Sequence, residues 1–234
     1  MFRYFCSIIL LAVSLQLNAQ DRILNDSSRL KFLPTGIRIG TDLLSIGKSY
    51  RTDYFKGWEI NADADIFRRY YLTADYGSWT TNYTLANGSY SSDGRYFRVG
   101  VDVNFLLKDP ERNMFFLGFR RGHTNYTDQS DYSYTYAYTV DDVKTVNVHV
   151  SNPNPYANWN ELTAGLRVRV WKFLWLGATG RLKFSYSSHG QWDLKSYDVP
   201  GYGKTFKTNW WGINYQIFVR IPVREDKRPR PTEL

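Results

Sequence analysis

Cysteine is nearly missing from this chain: Cys6 is the one cysteine among 234 residues, beside two methionines. A disulfide framework and a multi-cysteine zinc module are therefore excluded. Long hydrophobic runs are missing too. Past residue 19 no apolar stretch approaches the ~18–20 residues that a membrane-crossing helix needs. Acidic residues are the scarcer charges, 22 Asp and Glu against 30 Lys and Arg, for a formal charge of +8. Aromatics are not scarce. They make up 18% of a chain whose mean hydropathy is only −0.47. Disordered chains are poor in aromatics, so a polar average with this many rings points to an ordered fold.

Residues 1–19, MFRYFCSIILLAVSLQLNA, have the layout of a secretory signal peptide. Arg3 supplies the positive start, Phe5 to Leu15 the short apolar stretch, and Ala19 the small residue before cleavage. Cys6 lies ahead of the apolar stretch, so no cysteine follows the cleavage site to accept a lipid. Removal of the segment, which carries Arg3, leaves 29 basic and 22 acidic residues, or +7. Export argues against nucleic acid as the partner of this charge. Contact with anionic lipid or lipopolysaccharide phosphates, or simply solubility of the loops, is the better reading.

The rest of the chain alternates with period two, and no helical stripe of comparable length appears. Ile37, Ile39, Thr41 and Leu43 alternate with Arg38, Gly40 and Asp42. Trp58, Ile60, Ala62, Ala64 and Ile66 alternate with Glu59, Asn61, Asp63 and Asp65. The same pattern recurs over 70–79, 97–105, 115–122, 162–170, 174–186 and 211–221. A soluble β-sandwich alternates as well. Three features favour a membrane barrel instead. The polar face carries glycines and full charges. Aromatics sit at two levels, with Trp58, Tyr76, Tyr186 and Trp211 at one and Tyr70, Phe105, Phe115 and Trp171 at the other. Short connections (67–69, 106–113, 171–173) alternate with long ones (45–57, 80–95, 123–160, 187–209). The expected fold is an all-β, eight-stranded antiparallel transmembrane β-barrel with long extracellular loops and short periplasmic turns. It spans 35–222, between a periplasmic lead-in at 20–34 and a polar tail at 223–234. Residues 132–140 and 143–150 also alternate, but the first is built on Tyr rather than Leu, Ile or Phe. They are expected to stand above the membrane as a hairpin, which keeps the strand count at eight rather than ten.

Eight strands leave a bore that side chains fill. The inward list is acidic in the first half (Asp42, Glu59, Asp63, Asp65, Asp75, Asp102) and basic in the second (Arg120, Arg167, Arg169, Arg181, Lys183, Arg220). Arg38, Arg98 and Glu161 break that division. Opposed walls predict ion pairs through the middle, with inward glycines making room for arginine. Such a lumen is a plug of charge rather than an ion path.

Chemistry-bearing motifs are sparse. Asp198 to Thr205, DVPGYGKT, resembles a phosphate loop, but Asp stands where glycine is needed and a strand follows instead of a helix. His123, His149 and His189 are too far apart for a metal site to be read from spacing. His123 lies at the end of a strand near Thr124, Asn125 and Asp128, with no serine nearby. A lipid-modifying enzyme around His123 is the weakest reading of the function. The stripe Tyr132, Tyr134, Tyr136 and Tyr138 offers a rigid amphipathic surface suited to binding protein or glycan.

The segments GIRIGTDL (36–43), WEINADADIFRRYYLTADYG (58–77), YFRVGVDVNFL (96–106), FLGFRRGHTNY (116–126), NWNELTAGLRVRVWKFLWLGATGRLKF (158–184) and VPGYGK (199–204) are distinctive together. They resemble a domain-of-unknown-function family of small exported outer-membrane barrels from Bacteroidota. The resemblance covers almost all of 35–222. It implies fold and location, and it supplies no catalytic residues.

The sequence therefore predicts an outer-membrane barrel that is not an enzyme and has no cofactor or metal. It would be a structural protein or an accessory subunit of a larger outer-membrane assembly. A surface receptor or adhesin working through the Tyr-rich loop is the alternative. Its partners would be outer-membrane lipid and lipopolysaccharide, with other outer-membrane proteins as further candidates and no nucleic acid.

Overall fold

The computed structural model describes residues 35–66, 69–107, 109, 111–137, 143–190, 196–206 and 209–223. The expected signal peptide, the lead-in at 20–34 and residues 224–234 of the tail lie outside them. The elements in chain order are β1 (Gly36–Asp42), α1 (Leu43–Arg51), β2 (Phe55–Asp65), β3 (Tyr70–Leu85), β4 (Gly88–Asn104), β5 (Met114–Ala137), β6 (Val143–Asn152), β7 (Tyr156–Trp171), β8 (Leu174–His189), β9 (Asp198–Val199), β10 (Gly203–Lys204) and β11 (Trp210–Pro222).

Eight strands close into a ring. Each of β1, β2, β3, β4, β5, β7, β8 and β11 pairs antiparallel with the next, and β11 returns to β1. Pairing carried from Ile37 through Ala64, Leu72, Val101, Phe119, Leu162 and Leu182 arrives at Trp211. Ile37 itself pairs with Ile221, ten residues further along. That offset of ten is the shear of the barrel, and it ties the strands to a tilt of about 35–45°.

The wall is inside-out. Outward Ile37, Ile39, Ile60, Leu72, Val99, Leu117 and Leu162 are each about 40–50% exposed, while inward Arg38, Asp63, Asp75, Asp102 and Arg120 are buried. An apolar band of this kind is a surface that soluble monomers rarely leave bare.

Four readings of the sequence need correction. First, the strand read over 37–44 ends at Asp42. The Asp42 carboxylate accepts from the Leu44 and Ser45 N–H groups at 3.3 and 3.2 Å and so starts a helix. Second, 80–95 is not a loop. β3 and β4 run on as a paired ribbon to Leu85 and Gly88. Its inward positions, Thr81, Tyr90 and Ser92, are buried without being charged, which is why the alternation was faint. Third, Tyr186 is not in the outer aromatic belt. Ser185 adopts a φ of +53° opposite a register shift in β7, so Tyr186 turns inward and packs on Tyr202 at 4.6 Å. Fourth, the segment read as an open outer loop after β8 folds back into the barrel mouth through β9 and β10.

The hairpin expected above the ring is present. The far half of β5 pairs with β6 from Asp128–Asn152 to Ala137–Val143.

Candidate functional site

The lumen places three layers on the inward positions of the strands. Nearest the short turns are Met114, Phe116, Phe218 and Tyr71, all buried. The Arg167 guanidinium lies 4.6 Å above the Phe116 ring and 5.0 Å from Phe218, and Arg38 lies 4.9 Å over Tyr71. Such stacking lets a cation sit on an apolar floor.

The middle layer is a continuous ion ladder. Arg38 holds Asp63 at 2.7 Å, and Arg167 links Asp63 at 2.8 Å to Asp102 at 3.1 Å. Arg120 joins Asp102 at 3.1 Å to Asp75 at 2.5 Å. Asp75 also meets Arg98 and Arg181, both at 3.2 Å. Arg181 continues to Glu161 at 3.0 Å, and Arg98 pairs closely with Glu59. The group comprises five carboxylates (Glu59, Asp63, Asp75, Asp102, Glu161) and five guanidinium groups (Arg38, Arg98, Arg120, Arg167, Arg181), so it is formally neutral. Their side chains are at most 4% exposed. Arg167 of β7 and Asp63 of β2 stand four strands apart in the ring of eight, so their contact crosses the bore. Burial of so many charges costs solvation that their attraction only offsets, so the ladder specifies geometry more than it adds net stability. Gly118 is needed here, since a Cβ at that position would strike the Asp102 carboxylate.

The third layer lies toward the long loops. Tyr96, Tyr126, Ala157, Trp159, Val199 and Tyr202 form one buried cluster. Tyr96 and Trp159 tie it to the ladder through Glu59 and Glu161, both at 2.7 Å. The Pro200-Gly201-Tyr202-Gly203 turn between β9 and β10 is a plug in the mouth. Lys183 Nζ donates to the Gly201 and Tyr202 carbonyls at 2.7 and 2.9 Å. Gly201 has a φ of +80°, and a Cβ there would lie 2.5 Å from the Tyr96 ring, so only glycine fits. Tyr83 donates to Asp198 Oδ2 at 2.8 Å and Tyr90 to the Asp198 carbonyl at 3.2 Å, fastening the plug to β3 and β4. Burial holds the Asp198 carboxyl above its ordinary range, against the opposite pull of the Tyr83 hydroxyl and of Lys48, Lys204 and Lys183.

Of the twelve charged residues expected in the lumen network, seven meet in the ladder: Glu59, Asp63, Asp75, Asp102, Arg120, Arg167 and Arg181. Five do other work. Asp42 caps α1 and accepts from the Tyr215 N–H at 3.0 Å. Asp65 takes the Thr35 N–H at 2.8 Å at the short-turn end. Lys183 clasps the plug. Arg169 lies at the rim, 30% exposed, paired with exposed Glu111 at 2.8 Å. Arg220, also at the rim, donates to Thr35 Oγ1 at 2.9 Å. Alternation assigns a facing but not a depth: Asp42, Asp65, Arg169 and Arg220 lie near strand ends, and Lys183 lies mid-strand at the level of the plug. Arg38, Arg98 and Glu161, read only as exceptions, belong to the ladder. The uncharged fillers Met114, Phe116 and Trp159 carry no signal of their own beyond the inward phase, and Tyr202, in a turn, has no strand phase at all.

Tyr132, Tyr134 and Tyr136 lie along the β5 ribbon, 36–49% exposed, with successive ring centroids 6.5 and 6.2 Å apart. Tyr138 lies outside the described residues. His123 packs between Phe97 and Tyr156 at 5.2 and 6.2 Å, and its Nδ1 pairs with Asn158 Oδ1 at 2.9 Å. Its described hydrogen bonding brings no serine or carboxylate to the ring. Among the described residues no three His, Cys, Asp or Glu side chains cluster as metal ligands.

A model of the family described as Domain of unknown function (DUF6048) matches residues 1–226. No curated protein matches. Among solved structures, the crystal structure of CarO from Acinetobacter baumannii is similar with a TM-score of 0.38 at 9% identity, covering 83% of this chain and 100% of that one.

Proposed function

The chain belongs to the DUF6048 family of unknown function, and we propose that it is a non-enzymatic outer-membrane barrel without a through-channel, a structural protein or an accessory subunit of a larger assembly. One observation carries this reading: an apolar wall on the outside surrounds a neutral, fully buried ion ladder on the inside. A bilayer solvates that wall, and closure of the ring leaves no strand edge along its short-turn half. The short connections then face the periplasm and the long hairpins the exterior. The signal-peptide pattern at 1–19, with cleavage near Ala19, supplies the export route. Lipid and lipopolysaccharide are the surroundings of the wall.

In planar bilayers the purified protein should show no steady conductance, while its unboiled and boiled forms differ in gel mobility. A reproducible conductance would overturn the closed lumen. A protein that remains soluble without detergent after export would overturn the membrane reading itself.

The exposed tyrosine rank favours a second role, contact with a protein or glycan outside the cell. Replacing Tyr132, Tyr134 and Tyr136 with serine should leave the barrel heat-modifiable, because none of the three packs in the lumen. It should reduce adhesion of expressing cells to glycan- or protein-coated surfaces. Unchanged adhesion on every surface to which the parent protein binds would remove this role.

A further inference from the structure

The wall is incomplete on one side. β1 stops at Asp42, opposite Gln216, while β2 continues outward to Phe55 and β11 to Trp210. Residues 210–215 of β11 therefore pair with β8 on one edge and with no described strand on the other. Asp42 takes the Tyr215 N–H, and α1 occupies the space where β1 would have continued. The helix is fastened to β2, where Ser49 Oγ accepts from the Gly57 N–H at 2.7 Å. The opening is thus between α1 and β11. Outward residues report it. Trp211 and Ile213 are 71% and 75% exposed, against 39–52% for Ile37, Ile39, Ile60 and Leu72 on the closed wall.

A cavity of about 180 Å³ lies behind this opening. Its lips are the apolar Leu44, Trp58 and Ile213, and its interior is reached by Trp79, Tyr96 and Lys48. Two groups there lack partners. Trp79 Nε1 is buried with no hydrogen-bond acceptor among the described residues. Lys48 makes no contact ion pair among the described residues, and Asp198 acts on it only from beyond contact distance; its ammonium lies 3.9 Å over Phe55 and 5.8 Å from the Trp79 ring. The carboxylates on the cavity wall, Asp42 and Glu59, are already engaged, one by the α1 cap and the other by Arg98. An unpaired cation, an unpaired N–H donor and an apolar exit toward hydrocarbon describe a receptor for an anionic head bearing an ester and an acyl tail.

We propose that this opening is a lateral lipid site: the phosphate of an anionic glycerophospholipid lies at Lys48, an ester carbonyl accepts from Trp79, and an acyl chain leaves between Leu44 and Ile213 along the free edge of β11. The ligand comes from the bilayer, so the inference rests on the membrane reading above. An ammonium-to-phosphate contact in a partly desolvated site is of the stronger, charge-assisted kind.

The test uses the full mature barrel in nanodiscs of phosphatidylglycerol and phosphatidylethanolamine. Trp79→p-benzoylphenylalanine is irradiated, and the adduct mass is read. Phe116→p-benzoylphenylalanine, buried in the closed short-turn half, is the control. A heat-modifiable band is required first, and its absence counts against the barrel, not the site. The expected result is a phosphatidylglycerol adduct at 79 and none at 116. Lys48→Gln should reduce it about tenfold, the weight of one charge-assisted contact. Native mass spectrometry of the unlabelled protein should show a retained phosphatidylglycerol that Ile213→Trp expels. A folded barrel with no lipid at 79, equal labelling at 116, an adduct of polypeptide mass, or indifference to Lys48→Gln would each overturn the proposal.

Discussion

Asp75→Ala should destabilise the barrel by ~3–5 kcal/mol, enough to abolish most heat-modifiable protein. Asp75 is the node of the ladder, the one carboxylate that meets three guanidinium groups, Arg98, Arg120 and Arg181. Its other oxygen accepts from Asn61 at 2.7 Å. Removing it leaves three buried cations sharing four carboxylates with two others. The control is Arg169→Ala at the rim, where an exposed pair with Glu111 contributes about 0–1 kcal/mol. Urea unfolding of both variants in detergent micelles measures the difference. A second comparison separates charge balance from contact. Asp75→Ala combined with Arg120→Met removes one charge of each sign and should recover part of the loss, because a buried pair replaced together by apolar groups often costs little. Equal stabilities for Asp75→Ala and Arg169→Ala would show that the ladder does not hold the bore.

The strand phases explain how much of this was readable. From Ile37–Arg38 to Phe218–Val219, alternation places side chains on the correct side of the wall, because one face is packed in the bore and the other is turned outward. Period two fails where a local event resets it. At Asp42 the side chain finds the N–H groups ahead of it and turns the chain into a helix, an outcome that alternation does not encode. At Ser185 a bulge reverses the facing of everything after it, which brings Tyr186 inward. Periodicity is also blind to height. Arg167 and Arg169 have the same phase, yet one is in the ladder and the other at the rim, since each step of two residues along a tilted strand moves the side chain ~5 Å along the bore. The plug at Gly201 and Tyr202 and the opening beside α1 depend on contacts between segments distant in sequence, such as Tyr83 with Asp198 and Asp42 with Tyr215. No short pattern announces them.

Val101→Arg should cost ~2–4 kcal/mol and strongly reduce assembled barrel, because it places a cation on the apolar band. Val101 is 42% exposed and lies in the paired row Leu72–Val101–Phe119, all outward and apolar. In water the same change at a surface valine would alter stability by no more than about 0.5 kcal/mol. The substitution therefore distinguishes a wall bathed in hydrocarbon from one bathed in solvent. Its neighbour makes the contrast sharp. Asp102 is fully buried one residue further on, and it is tolerated because it faces Arg120 and Arg167 inside the bore. An arginine at 101 has no such partner: opposite it is Phe119, and beside it Val99 and Val103. Its long side chain can lean toward the headgroups, which places the cost at the lower end of the range for a position near the interface and at the upper end for one at the midplane. Refolding yield into phospholipid vesicles and urea unfolding of the inserted fraction measure the effect. Normal insertion and unchanged stability of Val101→Arg would place the outer wall in water and overturn the inside-out reading of the barrel.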